Sequence, residues 1–181
     1  TAITITTPAG SDGAKNVVVT TAAGSATSVG AFTYFSKLAI TYSGGVGSSG
    51  TAPEQASLAP SETFTVSSGS TLSKTGYTFS KWKNVANVEY LPGATFTVGY
   101  TADTLTAQWT LNSYSVSYIA GTNGSISGTN PQTVSYGANA STVTAVPDSH
   151  YHFNAWDDGV LTGARTDLNI TGAITKTASF A

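Results

Sequence analysis

The 181-residue sequence contains no cysteine and no methionine, and only 9% of its residues are charged, for a net charge of −2. Without cysteine no disulfide braces the fold, and redox chemistry reports no compartment. A chain without methionine is expected to be a processed form or a portion of a longer product. Seven Lys and Arg in all make a poor footprint for nucleic acid, where clustered cations supply most of the affinity. No apolar run approaches the roughly 20 residues that span a bilayer, so membrane insertion is not expected, and no signal-peptide pattern opens the chain. Thr, Ser, Gly and Asn are left to keep the surface wet.

What is present is one pattern written twice, Tyr77-Thr78-Phe79-Ser80-Lys81-Trp82 and Tyr151-His152-Phe153-Asn154-Ala155-Trp156. The rings stand at identical spacing, and each can bury on the order of 150 to 250 Å². Two copies imply two cores and hence two modules. On a strand Tyr77 and Phe79, like Tyr151 and Phe153, share a face. The Trp sits at an odd offset from both, so a bulge or strand end must turn it back inward. The predicted core is Tyr77, Phe79, Trp82 and Trp109 in one module, and Tyr151, Phe153, Trp156 and Phe180 in the other.

The first 35 residues read as three strands. Ala2–Thr7 alternates strictly, Asn16–Thr21 is a β-branched run, and Gly30–Phe35 closes the stretch. So small a sheet needs a second layer, expected from the preceding part of the parent chain or another subunit. Ser36-Lys37 is a short junction, which restricts hinge motion. Ser43–Gly50 is a glycine-rich loop; no helix pattern follows it, so it is not read as a phosphate cradle. No sustained 3.6-residue period occurs, and at most one short helix or 3₁₀ turn fits, near Leu58–Glu62 or Ser70–Lys74.

From Leu111 the plan repeats: Tyr114–Tyr118 matches the strand ending at Tyr42, Gly121–Gly124 the glycine loop, Pro131 matches Pro53, and Ala178 and Phe180 match Ala107 and Trp109. The triplets lie 74 residues apart and the last aromatics 71, a repeat with small loop insertions. The expected fold class is therefore all-β or mainly β, built of tandem small modules over residues 1–36, 37–110 and 111–181.

Two family resemblances follow. Ile3–Pro8, Val17–Thr21 with Ala23-Gly24, and Phe32-Thr33-Tyr34 resemble the second half of an IPT/TIG domain, an immunoglobulin-like sandwich of bacterial surface proteins, here lacking its first strands. Residues 38–181, with their Tyr-ended strands, glycine loops, Gly76–Trp82 and Ala107-Gln108-Trp109, resemble the Listeria-Bacteroides repeat, or internalin B-repeat. The second copy is similar to its divergent form, through Gly124–Ser127, Trp156–Gly159 and Arg165-Thr166-Asp167. These resemblances imply a partial Ig-like sandwich followed by two β-grasp-like repeats, strung in tandem in secreted or wall-attached proteins, with no catalytic residues. Lys81 stands where the family often has a small residue, which makes that surface locally basic.

Candidate chemistry is sparse. His150 and His152 flank Tyr151, so on a strand both imidazoles face one side as two metal ligands with no third. Asp157-Asp158-Gly159 and Arg165-Thr166-Asp167 bracket a loop that offers carboxylates to calcium; the plainer reading makes Asp158-Gly159 a turn and pairs Arg165 with one carboxylate. Adjacent aspartates do not flank a glycosidase cleft, and no nucleophile elbow supports a Ser-His-Asp triad. A Lys–Asn isopeptide bond would show as a mass loss of about 17 Da. The sequons at Asn123, Asn139 and Asn169 are ordinary in so hydroxyl-rich a chain.

The functional expectation is a non-enzymatic, cofactor-free structural or adhesive segment of a bacterial surface protein, extracellular, acting as a stiff stalk or fibre. Its expected partners are neighbouring modules or other copies of itself. The alternative is a glycan- or host-protein-binding module presenting Tyr90, Tyr100 and Tyr136.

Overall fold

The computed structural model describes residues 10–181, so the strand expected at Ala2–Thr7 lies outside the described residues. Alternating β-branched and aromatic residues between Gly-, Pro- and Asn-rich turns produce strands alone. They are β1 Gly13–Thr21, β2 Gly24–Tyr34, β3 Ile40–Ser43, β4 Ser49–Gly50, β5 Thr63–Thr65, β6 Leu72–Ser73, β7 Tyr77–Lys83, β8 Glu89–Tyr90 and β9 Thr95–Thr97. After these come β10 Asp103–Leu111, β11 Ser113–Ala120, β12 Gly124–Ser127, β13 Gln132–Ser135, β14 Val143–Pro147, β15 Phe153–Trp156, β16 Ala164–Arg165 and β17 Ile174–Phe180. The all-β expectation holds among the described residues. At most one short helix or 3₁₀ turn was expected, near either of two places, and each place holds only a single turn, closed by Glu62 N–H on the Ala59 carbonyl and Leu72 N–H on the Gly69 carbonyl. Left-handed backbone at Ser61 (φ 71°) stops the first from continuing.

Of the three strands expected in the opening stretch, the two that fall in described residues form a hairpin. β1 and β2 pair antiparallel from Gly13 opposite Tyr34 to Thr21 opposite Gly24. Lys15 faces Phe32 but Val17 faces Ser28, so Val29–Ala31 bulge opposite Asn16, whose Oδ1 accepts the Gly30 N–H at 3.0 Å. Val18, Val19 and Val29 are exposed in the single chain.

Contacts divide the chain into two compact units. One runs to Leu72 and takes in Ser80–Gln108; the other consists of Ser73–Phe79 and Trp109–Ala181.

In the first unit β3 pairs parallel with β10, Tyr42 opposite Leu105, in a sheet of order β3-β10-β7-β8. β5 and β9 pair antiparallel, placing Phe64 opposite Phe96. Its core residues include Ile40, Tyr42, Val66, Phe96, Val98 and Leu105, all buried, and Trp82, which is wholly buried. The Tyr42 ring meets Trp82 edge-on at 4.6 Å. Ser67 satisfies both polar tips, its carbonyl accepting Trp82 Nε1–H at 2.8 Å and its N–H donating to the Tyr42 oxygen at 2.9 Å. Lys81 does not leave a bare basic surface, since its Nζ pairs with Glu89 at 2.6 Å.

The second unit repeats this design. β11 pairs parallel with β17, Tyr118 opposite Lys176, in a sheet of order β13-β11-β17-β15, beside a sheet of order β12-β14-β16. Val116, Tyr118, Val134, Ala140, Val143, Ala145, Trp156, Ile170 and Ala178 form its core, with Phe153 and Phe180 packed against it. Tyr118 meets Trp156 edge-on at 5.7 Å, and Trp156 Nε1–H donates to the Thr162 carbonyl at 3.0 Å. Phe153 faces Phe180 while Ala155 faces Ser179, so one extra residue enters β15 and swings Trp156 inward.

The eight predicted core rings do not behave alike. Trp82 and Trp156 are the buried centres; Phe79, Trp109, Phe153 and Phe180 are half-buried, with Phe79 on Trp109 at 5.7 Å and Phe153 on Phe180 at 6.1 Å. Tyr77 is half-buried under Lys74, whose Nζ lies 4.6 Å from the ring centroid. Tyr151 departs from the expectation: it is 44% exposed. It precedes β15 in a turn closed by its N–H on the Asp148 carbonyl, with His150 left-handed at φ 74°, so the equal spacing conceals different backbones.

Candidate functional site

A dense polar cluster lies in the second unit, around Arg165. β16 ends on Arg165, and the turn after β15 presents Asp157 and Asp158. Gly159, at φ 83°, closes that turn by donating its N–H to the Trp156 carbonyl. Arg165 is 9% exposed. Its Nη1 and Nη2 reach the two oxygens of Asp158, both at 2.8 Å. Its Nε and Nη2 reach the two oxygens of Asp167 at 2.8 and 2.7 Å. The guanidinium lies 5.5 Å from the Trp156 ring centroid, so a planar cation caps the core indole.

Two further groups complete the cluster. Tyr118 donates its hydroxyl to Asp167 Oδ2 at 2.8 Å from the sheet below. Lys176 approaches Asp158 at 3.1 Å and Asp157 at 3.8 Å, while Asp157 Oδ2 accepts the Thr177 N–H at 3.0 Å. The electrostatics follow. Hydrogen bonds from Arg165 hold the Asp158 and Asp167 carboxyls below their ordinary range, and those carboxylates hold Arg165 above its own. Burial, reinforced by Asp167, pushes the Tyr118 phenol up to about 12.

This geometry bears on the residues weighed as metal ligands, though no metal was expected. Every carboxylate oxygen of Asp158 and Asp167 already accepts from Arg165, so the calcium clamp over Asp157, Asp158 and Asp167 becomes an arginine-centred ion network. The paired-carboxylate reading of Arg165 was too small by one partner. His150 and His152 do not share a strand face: the first sits in the turn, the second exchanges main-chain hydrogen bonds with Ala181. Among the described residues no three His or acidic side chains converge as metal ligands. Lys176 faces carboxylates and not an asparagine. Of the three rings offered for ligand binding, Tyr90 packs on Phe96 at 5.0 Å and Tyr136 is half-buried, while Tyr100 is exposed beside Phe35 at 5.7 Å.

The network, its Trp and the sheet beneath it fall in one stretch of sequence. Residues 114–181 match the family model of the divergent InlB B-repeat domain. Comparison with curated proteins and with solved structures gives no match. The B-repeat stretch begins on β11, ends on the last residue, and contains Tyr118, Trp156, Asp158, Arg165 and Asp167. Tyr118 and Lys176 are the members that sequence reasoning missed. Tyr118 had a signal, since it aligns with Tyr42, the other ring that meets a buried Trp.

Proposed function

We propose that this chain is a non-catalytic structural segment of a large extracellular bacterial surface protein, serving as a stiff stalk or fibre-forming region. The observation that carries this reading is that the strongest charge cluster, inside the B-repeat stretch, is spent on itself: four carboxylate oxygens, one guanidinium and one phenol satisfy one another and brace a core Trp. The InlB B-repeat family is typical of bacterial surface proteins. Among the described residues no helix is long and apolar enough to cross a membrane.

The modules in this reading are the end of an IPT/TIG domain over 1–36, a first B-repeat-like module over 37–110 and the divergent one over 111–181. Support for the first repeat is the matched pair of Tyr-Trp contacts at Tyr42–Trp82 and Tyr118–Trp156. Asn112 alone separates β10 from β11. The partners are neighbouring modules or other copies of the chain. An adhesive role toward a glycan or host protein is the alternative, and it has Tyr100 with Phe35 as its exposed aromatic pair. Small-angle scattering with electron microscopy tests the stalk: rods of one length are expected, and freely bending beads would contradict it. A glycan array carries the alternative, with no binding expected.

A further inference from the structure

β13 ends its sheet with an edge that no strand covers among the described residues, and the ladder to β11 fixes which groups face outward. Tyr136 N–H donates to the Asn112 carbonyl at 2.8 Å. Rungs therefore fall on Tyr114 with Val134 and Val116 with Gln132, and the intervening Thr133 and Ser135 turn their main-chain groups away from β11. One rung further, where the chain leaves β13, the Asn130 side chain takes over, accepting the Tyr118 N–H at 2.8 Å and donating to its carbonyl at 2.6 Å. Of the outward groups, the Ser135 carbonyl accepts the Ala138 N–H. Among the described residues, both groups of Thr133 and the N–H of Ser135 remain, along a groove of about 340 Å³ lined by Pro131, Thr133, Ser135, Ala138, Asn139 and Ser141.

Gln132 fixes the far wall, donating to the Ser141 carbonyl at 2.8 Å and accepting its N–H at 2.7 Å. A slot with main-chain donors and acceptors on one wall fits an extended strand. Charge and proline on an edge are the usual guards against such pairing. The groove beside β3 carries a charge, Glu54; the groove beside β13 carries no charge, and its Pro131 lies just before the strand and not within it.

The chain also carries a strand suited to it. β2 contains no charge and no proline, is paired by β1 on one side only among the described residues, and is exposed from Gly24 to Thr33. A two-stranded hairpin by itself is marginal in water. A second β13 is excluded as the occupant because it brings its own wall at Ala138–Ser141, and β1 carries Lys15 along its length. The bulge at Val29 leaves Gly24–Ser28 as the straight run, and Ser25–Ser28 within it matches the four residues of β13.

We propose that the β13 edge accepts the Ser25–Ser28 run of β2 from a second copy, joining chains head to tail by strand addition. This rests on the structural reading above and names its partner and contact. Two different surfaces meet, so the assembly does not close on itself and grows as an open chain.

Sedimentation over a concentration series tests it. The unsubstituted chain is expected to gain mass without a plateau. Thr133→Pro, which removes an N–H that makes no rung, and Thr27→Lys, which puts a charge on the donor strand, should each weaken association at least tenfold while circular dichroism stays native. A 1:1 mixture of the two should form pairs and stop there, since each variant keeps one competent surface. Should Thr133→Pro unfold, a peptide of residues 24–34 must instead lower the mass of the unsubstituted chain. A monomer at all concentrations, a closed dimer, or association indifferent to Thr27→Lys and the peptide would overturn the proposal. A monomer that still scatters as a stiff rod would leave the stalk reading standing.

Discussion

Tyr118 donates its hydroxyl to Asp167 at 2.8 Å, and the same carboxylate receives two hydrogen bonds from Arg165. A core ring is thereby tied to the ion network above it. The phenol is held protonated, with its value moved from 10.0 to about 12. A raised value in the folded state means that the contribution is complete below pH 10 and is lost as pH rises toward 12. Tyr118→Phe should cost about 1 to 2 kcal/mol at neutral pH by urea unfolding. It should also flatten the loss of stability above pH 10 relative to the unsubstituted chain.

Arg165 serves two carboxylates from a buried position, so removing it strands both. Arg165→Ala should destabilise the unit by about 3 kcal/mol, measured by chemical denaturation. Arg165→Lys should recover little, because an ammonium cannot span two bidentate partners.

The acid side has the opposite sign to the phenol. Asp158 and Asp167 are held below the ordinary 3.8, so their contribution is present above about pH 4 and disappears as pH falls through their lowered values. Thermal melts from pH 7 to pH 2 should show a drop beginning near pH 4, and Asp167→Asn should shrink that drop.

Gly124 opens β12 against the terminal ring: a Cβ placed there would fall onto the face of Phe180. Gly124→Ala should lower the melting temperature of the second unit by several degrees, about 1 to 3 kcal/mol of overpacking. Phe180→Leu should recover part of that loss in a double-mutant cycle.

These sites show what was legible in the sequence. The repeated rings announced two Trp-centred cores, and the odd offset of Trp156 announced the bulge in β15, because strand periodicity leaves few alternatives. Tyr151 misled because a left-handed His150 breaks the strand before it, and spacing carries no sign of φ. Arg165 was read with one carboxylate, since sequence shows proximity along the chain but not that Asp158 and Asp167 converge on one guanidinium. Tyr118 contributes its hydroxyl across 49 residues, a contact that no local pattern announces. The open edge of β13 depends on register, which composition does not encode.

The central claim is that two separate cores, each built on one buried Trp, make two stable units within this chain. Hydrogen exchange on Trp156→Ala measures it directly, the substitution costing about 3 to 5 kcal/mol at its own site. Amides of Val116, Tyr118, Val143 and Ala178 should lose protection while those of Val66, Val98 and Leu105 keep theirs. Loss of protection at both sets together would contradict it.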